Sequence, residues 1–600
     1  MRDVVRNDAV RDRLREIVAS ILEMEVTSIE SDASFYEDLG VDSLEKVELV
    51  ARIESEFGLS LTPAEAAAVT SVDAAVTVLG DRTAPPASLD LIGRLVAGHV
   101  GAGHGERISY LDPDVGEVTY RGLLDAARGY AGALRTAGVA EGSRALLVAD
   151  DSVATVAAVL GLWWHGCVPA VVSPLLTDDE IRYIADDCAA AVVHLDAAPK
   201  RQQALDALFA GLPRLTGDDV RTALTTGADG PAHRPDQAGA PARWEPRREA
   251  LVQYTSGSTG RPKGVRHSAG AVEALSHGVG ALLALTPDDT VLSTARMSFG
   301  YGFGSSVLCP LAAGARVALL RGTADIHSVT AALQRHRPTV LFSVPRLYAA
   351  LLDAAEATAP QGTVAGDRLR LCVAAGENLP AALGERIRTV FDAELVNGLG
   401  ATEVLYIVVG TLPGQPLPGT FGLPVPGVTA TVRDKDGTPL AGATEGRLHI
   451  TGPTVALGYI GRPDAAAATF ADGGVYTGDV VRRTEDGAFT HLCRADDLLN
   501  LGGYKVVPSE IETVVRRADG VQECVVVGGT DAHGLEQAVL YLVARPDADP
   551  AAVRRAVMAS IRTDLASYKR PGRIEFLDRL PVTSTGKLAA FELRKQAAQL

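Results

Sequence analysis

From about residue 89 onward, short β-branched runs recur between helical segments, as in SRALLVAD, AVVHL, RVALL and TVLFSV. Strands that alternate with helices enter a sheet in parallel, so the pattern predicts an α/β architecture with mainly parallel sheets. After about residue 420 the runs shorten and close up, as in VTATVRD and GRLHITG, and predict a β-rich subregion. The last hundred residues alternate strand and helix again and predict a compact α+β unit. Residues 223–249 are rich in Gly, Ala and Pro and predict a surface loop. There is no internal repeat and no heptad pattern.

Residues 1–80 have a different grain. DRLREIVASILEM is amphipathic, with Leu14, Ile17, Val18 and Ile21 on one face. EDLGVDSLEKVEL (37–49) begins a second helix running to about Phe57, and SVDAAVTVL supplies another. This segment predicts a small four-helix-type bundle. It carries seven Lys/Arg against seventeen Asp/Glu, a net charge of −10, which marks a module with its own electrostatic signature. Within it, Asp42 and Glu45 stand at a capping-box spacing, so Ser43 reads from local physics either as part of a helix start or as a residue that carries chemistry. DRTAPPASLD contains the linker, taken as residues 81–88, which spans at most about 28 Å when extended. The expected domains are 1–80, 89–495 and a small mobile unit at 496–600.

The net charge of −17 argues against nucleic acid or an anionic membrane as a general partner. Six cysteines (Cys167, Cys188, Cys309, Cys372, Cys493 and Cys524) show no metal-site spacing and fit a reducing compartment. The N-terminal MRDVVRNDAVRDRLREI has no apolar core of a signal peptide, and a cytoplasmic location is expected. The most membrane-like stretch, VATVAAVLGLWWHGCVPAVVSPLL, is interrupted by His165, Pro169 and Pro174, and predicts a buried helix followed by a buried strand.

The strongest chemical signal is QYTSGSTGRPKGV (253–265). Glycines, hydroxyls and a lysine follow directly on an apolar strand. Flexible backbone there lets N–H groups and hydroxyls wrap phosphate oxygens, and Lys263 adds positive charge. The spacing does not fit a Walker A loop.

This segment resembles the phosphate loop of the adenylate-forming superfamily, which includes acyl-CoA synthetases, adenylation domains and luciferases. Further stretches resemble its motifs in the expected order: AAGENLP (374–380), NGLGATEV (397–404), YTGDV (476–480), CRADDLLNLGGYKVVPSEIE (493–512) and TSTGKL (583–588). The resemblance covers roughly residues 89–600. It implies ATP and Mg2+ as cofactors, and nucleotide contacts from Thr255, Ser256, Gly257, Ser258, Thr259, Gly260 and Lys263. It implies Gly376, Glu377, Asn397 and Gly398 on the nucleotide side, Thr402 on phosphate and Glu403 as the metal ligand. Asp479 would grip the ribose hydroxyls, with Arg494 near the nucleotide. Asp496 would be the hinge, and Lys587 would join Thr402 and Glu403 as a catalytic group. Gly502 and Gly503 would let a thiol arm pass close to the backbone. The chemistry is consistent: attack of a carboxylate on the α-phosphate brings two anions together, and cations stabilise that transition state.

For the acid, RMSFGYGFGSSVLCPL (296–311) lacks the aspartate that adenylation domains use for an α-amino group. It resembles benzoate-type aryl acid ligases, which implies an acid pocket at Gly300, Tyr301, Gly400, Tyr406 and Ile407. Those enzymes usually have a histidine where this chain has Tyr406. The expected substrate is a small, flat, aryl-type carboxylic acid.

For the acceptor, FYEDLGVDSLEKVELVARIESEFGLSL resembles an acyl carrier protein, whose DSL serine receives 4'-phosphopantetheine. That serine is Ser43. The resemblance implies a phosphopantetheinyl transferase and downstream biosynthetic enzymes as partners, with Glu45, Glu48, Glu54 and Glu56 steering their basic surfaces. The expected activity is an acid:carrier-protein ligase that forms acyl-AMP and loads its own carrier thiol. A ligase using free CoA, with the carrier serving another enzyme, is the alternative.

Overall fold

The computed structural model describes the chain except residues 1, 23, 37, 43–44, 47, 51, 54–62, 84–87, 227–232, 256–260, 323, 359–367, 416, 502–503, 531–535, 567–568, 583–587 and 599–600. The chain forms two compact units, Met1–Ser88 and Leu89–Leu600.

The described elements of the first unit are helical. They are Arg2–Leu22, a short turn at Val26–Ser28, helical residues at 45–46, 48–50 and 52–53, Pro63–Ala68 and Val72–Thr83. The face expected from sequence is the buried one: Leu14, Ile17 and Val18 pack with Phe35, Leu49, Ile53, Val69 and Val72, and Ile21 flanks them. The second helix opens on a reciprocal cap. The Asp42 N–H donates to Glu45 Oε2 and the Glu45 N–H donates to Asp42 Oδ1, each at 2.8 Å. This satisfies two N-terminal donors that would otherwise face only water. Lys46, the next residue, places its ammonium 5.5 and 5.9 Å from the ring centroids of Phe35 and Tyr36 and donates to the Val69 carbonyl. The helix Val72–Thr83 runs past residue 80, so the expected linker begins as helix at 81–83. The same holds for 223–226 of the expected surface loop, which end the helix Gly217–Thr226.

The second unit is built on two large sheets. The first runs in the order Arg214–Thr216, Val192–Asp196, Arg144–Ala149, Val168–Val172, Glu249–Thr255, Lys263–Ser268. Its strands are parallel except for the last pair. The second has nine strands and a parallel centre, in which Thr290–Ser293, Val340–Ser343, Leu371–Ala375 and Glu394–Gly400 are neighbours. Its end strands Ile407–Gly410 and Leu423–Pro424 are antiparallel. The membrane-like stretch is the buried helix Val153–His165 followed by the strand Val168–Val172, as its interruptions predict. Ser152 caps that helix, and Gly166, at φ +82°, ends it. Among the described residues no helix is long and apolar enough to cross a membrane.

The β-rich subregion is a four-stranded antiparallel sheet, Thr429–Arg433, Thr444–Thr451, Val475–Arg483, Phe489–Arg494. Beyond it lie the hairpin Leu499–Leu501/Tyr504–Val506 and a three-stranded sheet. The helices Pro508–Arg516, Pro550–Asp564 and Ala590–Ala597 flank these strands. This C-terminal segment has its own core around Val506, Ile511, Val515, Leu540 and Val557.

Candidate active site

Two chain reversals and the strand Val475–Arg483 come together in the second unit. The first joins Glu249–Thr255 to Lys263–Ser268, with Thr255 opposite Lys263 in the register. Ser256, Gly257, Ser258, Thr259 and Gly260 lie outside the described residues, but the base of this reversal is firmly held. The Tyr183 hydroxyl donates to the Pro262 carbonyl (3.2 Å). Arg462 donates to the Tyr183 hydroxyl, to Asp187 Oδ1 (2.8 Å) and to the Ile460 carbonyl (2.6 Å). Tyr254 donates to the other oxygen of Asp187 (2.8 Å).

The second reversal follows Glu394–Gly400 and contains the short turn Thr402–Val404. Glu403 is tied at both ends. Its carbonyl accepts from the Ala456 N–H (2.9 Å), and its Oε1 accepts from the Tyr459 hydroxyl (2.7 Å). The ring of Tyr459 also lies 5.5 Å from the Lys263 ammonium and packs edge-on against Phe470. One phenol thus links the lysine of the first reversal to the carboxylate of the second. Burial, and then the Glu403 carboxylate, push the Tyr459 phenol pKa well up, so it remains a proton donor at neutral pH. Sequence reading passed over Tyr459; a Gly-Tyr pair in a loop carries no spacing signal that separates it from a packing residue.

Gly376 and Glu377 follow the strand Leu371–Ala375, beside Asn397 and Gly398 on the next strand. Gly376 has φ +88°, a conformation that favours glycine. Glu377 Oε2 accepts from the Arg346 N–H (3.2 Å). Asn397 is buried; its Nδ2 donates to the Thr420 carbonyl (2.8 Å) and its Oδ1 has no hydrogen-bond partner.

Asp479 lies within the strand Val475–Arg483, opposite Arg494 in the register. Its Oδ1 accepts from Arg494 Nη1 (2.9 Å) and is bonded to His491 Nε2 (3.2 Å). Arg494 donates as well to the Thr477 carbonyl (2.8 Å), and a side chain at Gly478 would strike its guanidinium. Burial works to raise the Asp479 pKa. The His491 hydrogen bond and the charges of Arg494 and His491 outweigh it, and the carboxyl is held below its ordinary value. His491 is the second residue that sequence reading missed; its position, three residues before Asp479's strand partner Arg494, was the available clue.

The five residues of the expected acid pocket lie together. Tyr301 and Tyr406 stack with ring centroids 5.9 Å apart and planes at 30°. The Tyr301 hydroxyl donates to the Val373 carbonyl (2.8 Å). Tyr406 follows Leu405, which has φ +70°, and the Tyr406 N–H donates to the Val404 carbonyl (2.8 Å). This is a γ-turn of the strained, positive-φ kind, a conformation that costs on the order of 1–3 kcal/mol in a non-glycine residue. Close packing surrounds it. A side chain at Gly400 would strike the Tyr406 carbonyl, one at Gly304 the Tyr406 ring, and one at Gly398 would lie 2.7 Å from Ile407 Cδ1. A Cβ at Gly300 would lie 2.7 Å from the Leu405 carbonyl and 3.0 Å from Gln253 Oε1. Gln253 was not among the expected site residues.

Asp496 stands in the short turn Ala495–Asp497, directly after Arg494. The neighbouring Asp497 pairs with Arg594 of the last helix. Ser43, Gly502, Gly503 and Lys587 lie outside the described residues. Among the described residues no group of three or more His, Cys, Asp or Glu could hold a metal ion by itself.

Family profiles match three parts of the chain: a phosphopantetheine attachment site at residues 12–79, an AMP-binding enzyme at 99–460 and an AMP-binding enzyme C-terminal domain at 510–587. The chain is 34% identical over 522 residues to a 4-hydroxybenzoate–CoA/benzoate–CoA ligase of Rhodopseudomonas palustris, covering 85% of this chain and 94% of that one. It is 32% identical over 515 residues to the p-hydroxybenzoic acid–AMP ligase FadD22 of Mycobacterium tuberculosis, covering 85% of this chain and 69% of the relative. The crystal structure of the anthranilate CoA ligase AuaEII in complex with anthranoyl-AMP superposes with a TM-score of 0.76 at 27% identity, covering 86% of this chain and 98% of that one.

Proposed function

The chain belongs to the AMP-binding enzyme family, and from that premise we propose that it activates a small aryl carboxylic acid with ATP, releases pyrophosphate, and passes the acyl group to phosphopantetheine on Ser43 of its own carrier module. The observation that carries this reading is the presence in one chain of an AMP-forming ligase and a phosphopantetheine attachment module. Tethering raises the local concentration of the acceptor thiol without any new contact. The aryl assignment is supported by the stacked Tyr301 and Tyr406 and by the relatives, whose names give benzoate, hydroxybenzoate and anthranilate substrates.

The cofactors are ATP, Mg2+ and 4'-phosphopantetheine, as the AMP-binding and phosphopantetheine attachment families use them. Mg2+ typically takes one or two carboxylates, with phosphate oxygens and water completing its shell. A single anchored carboxylate, Glu403, fits that demand. When bound, the ion neutralises phosphate charge as the carboxylate approaches. Tyr459 holds the Glu403 carboxylate in place, and Lys263 adds positive charge beside it. Thr255, residues 256–260 and Thr402 bind phosphate oxygens. Asp479, kept ionised by His491 and Arg494, accepts hydrogen bonds from the ribose hydroxyls. Gly376, Glu377, Asn397 and Gly398 form the wall on the adenine side. Lys587 brings an ammonium to the adenylation transition state. The C-terminal segment then pivots at Asp496, and Gly502 and Gly503 give the thiol arm passage.

A phosphopantetheinyl transferase loads Ser43, and downstream enzymes read the acylated carrier. Six buried free cysteines suit a reducing, cytoplasmic setting. A second reading has the ligase use free CoA while the carrier serves another enzyme; the CoA ligase names of two relatives favour it. The deciding experiment offers the full-length holo protein ATP and a benzoate panel, with and without CoA, and follows the intact mass of the chain. An acyl increment on the pantetheine arm supports self-loading. Acyl-CoA formation with no increment supports the second reading.

A further inference from the structure

We propose that Gln253 reads a ring hydroxyl on the acid, with Tyr406 as a second polar contact, so that the preferred substrate is a hydroxy-substituted aryl acid. This rests on the aryl-acid reading above. Gln253 is 4% exposed, and neither its Nε2 nor its Oε1 has a hydrogen-bond partner. Buried amides rarely go without partners, because leaving both the donor and the acceptor unmet forfeits the water they gave up. In a protein that binds a small molecule, such an orphan amide marks where a ligand group belongs.

Its position supports this. Gln253 lies two residues before Thr255 on the strand that leads into the phosphate loop, and its amide abuts Gly300, where a Cβ would come within 3.0 Å of Oε1. Gly300 begins the short helix Gly300–Phe303 that carries Tyr301, the ring stacked on Tyr406. Tyr406 is itself 4% exposed, and its hydroxyl is likewise without a partner. The neighbouring Ser305 hydroxyl donates instead to the Tyr301 carbonyl (2.9 Å).

The chemistry of the orphans selects the ligand group. A carboxylate only accepts, and would leave Gln253 Oε1 unmet. A bare ring would leave all three polar atoms unmet. A hydroxyl both donates and accepts, and so answers an amide that offers one of each. Sites built to bond a hydroxyl discriminate strongly against analogues without one.

The test measures acid-dependent ATP–pyrophosphate exchange by the full chain with benzoate, 2-, 3- and 4-hydroxybenzoate and cyclohexanecarboxylate. The proposal expects one hydroxybenzoate to exceed benzoate at least tenfold in kcat/KM. Gln253→Leu should lower that ratio at least tenfold, and Tyr406→Phe, which removes one oxygen and keeps the ring, should lower it several-fold. A wild-type enzyme that uses benzoate as well as every hydroxybenzoate overturns the proposal. So does a ratio unchanged in Gln253→Leu, the result expected if only water satisfies the amide. If Gln253→Leu does not fold, Tyr406→Phe and the wild-type ratio decide. Exchange with no aryl acid at all overturns the underlying reading and this proposal with it, a result distinct from exchange without hydroxyl selectivity.

Discussion

The Tyr459 hydroxyl donates to Glu403 Oε1 at 2.7 Å, and the same ring lies 5.5 Å from the Lys263 ammonium. A phenylalanine at 459 would keep the packing on Phe470 and lose the bond to Glu403. Hydrogen bonds to charged groups are worth roughly 1.5–3 kcal/mol. Tyr459→Phe should therefore raise the Mg2+ concentration needed for half-maximal pyrophosphate exchange and lower kcat/KM about tenfold, a change of about 1.4 kcal/mol. An unchanged Mg2+ titration would sink the link between Tyr459 and the metal site.

Asp479 depends on His491 and Arg494 for its low pKa. Asp479→Asn keeps the shape but removes the charge, and should raise KM for ATP at least about tenfold while moving KM for the acid far less. His491→Leu should give a smaller shift in the same direction. A folded-state pKa below the ordinary value means the carboxylate is lost only as pH falls through that lowered value. ATP affinity should therefore show no inflection from this group between pH 5.5 and 8. A change in acid KM alone would place Asp479 elsewhere in the mechanism.

Ser43→Ala should retain acid-dependent pyrophosphate exchange and abolish acylation of the chain, read by intact mass. Lys587→Ala should slow adenylate formation and spare transfer from supplied acyl-adenylate. Equal loss in both half-reactions would count against a lysine that serves only the first.

Asp151 is buried beside Arg296 and Met297. Its Oδ1 accepts from the Met297 N–H (3.1 Å), and Arg296 lies 3.9 Å away. Burial raises its pKa to about 6, against the pull of Arg296 and that N–H. A raised carboxyl pKa means stability is fully present below the unfolded value and declines as pH rises through about 6. The loss at pH 8 is at most about 3 kcal/mol. Asp151→Asn, which mimics the protonated form, should raise Tm at pH 8 and lose that advantage toward pH 4. An equal shift at both pH values would show that the carboxyl does not titrate in this window.

Gly304→Ala places a methyl against the Tyr406 ring. Overpacking of this kind costs about 1–3 kcal/mol. The variant should lose thermal stability and change KM for the acid, with KM for ATP little altered. A neutral outcome in both would mean that Tyr406 can shift without consequence for the pocket.

Local pattern was enough for most of the secondary-structure elements. The Asp42–Glu45 cap, the buried helix Val153–His165 and the alternating strands were legible because backbone capping, apolar periodicity and strand length depend on residues near one another in the chain. The segments around Thr255, Glu403 and Asp479 stood out in the sequence because each is a short motif of glycine, hydroxyl or carboxylate beside an apolar strand. The C-terminal limit of the helix Val72–Thr83 was not, because the residues that continue it carry no stop signal before the proline pair.

The sequence by itself determined the α/β and β-rich succession, the acidic helical module and the list of motifs, all consequences of short-range order. Only the tertiary structure decided that Tyr459 joins Glu403 to Lys263, that His491 shares Asp479 with Arg494, and that Gln253 abuts Gly300 with its amide unmet. The physical reason is the same for all three. Each is a hydrogen bond, or the lack of one, set by burial between segments distant in sequence, and no local spacing encodes which buried polar atom will find a partner.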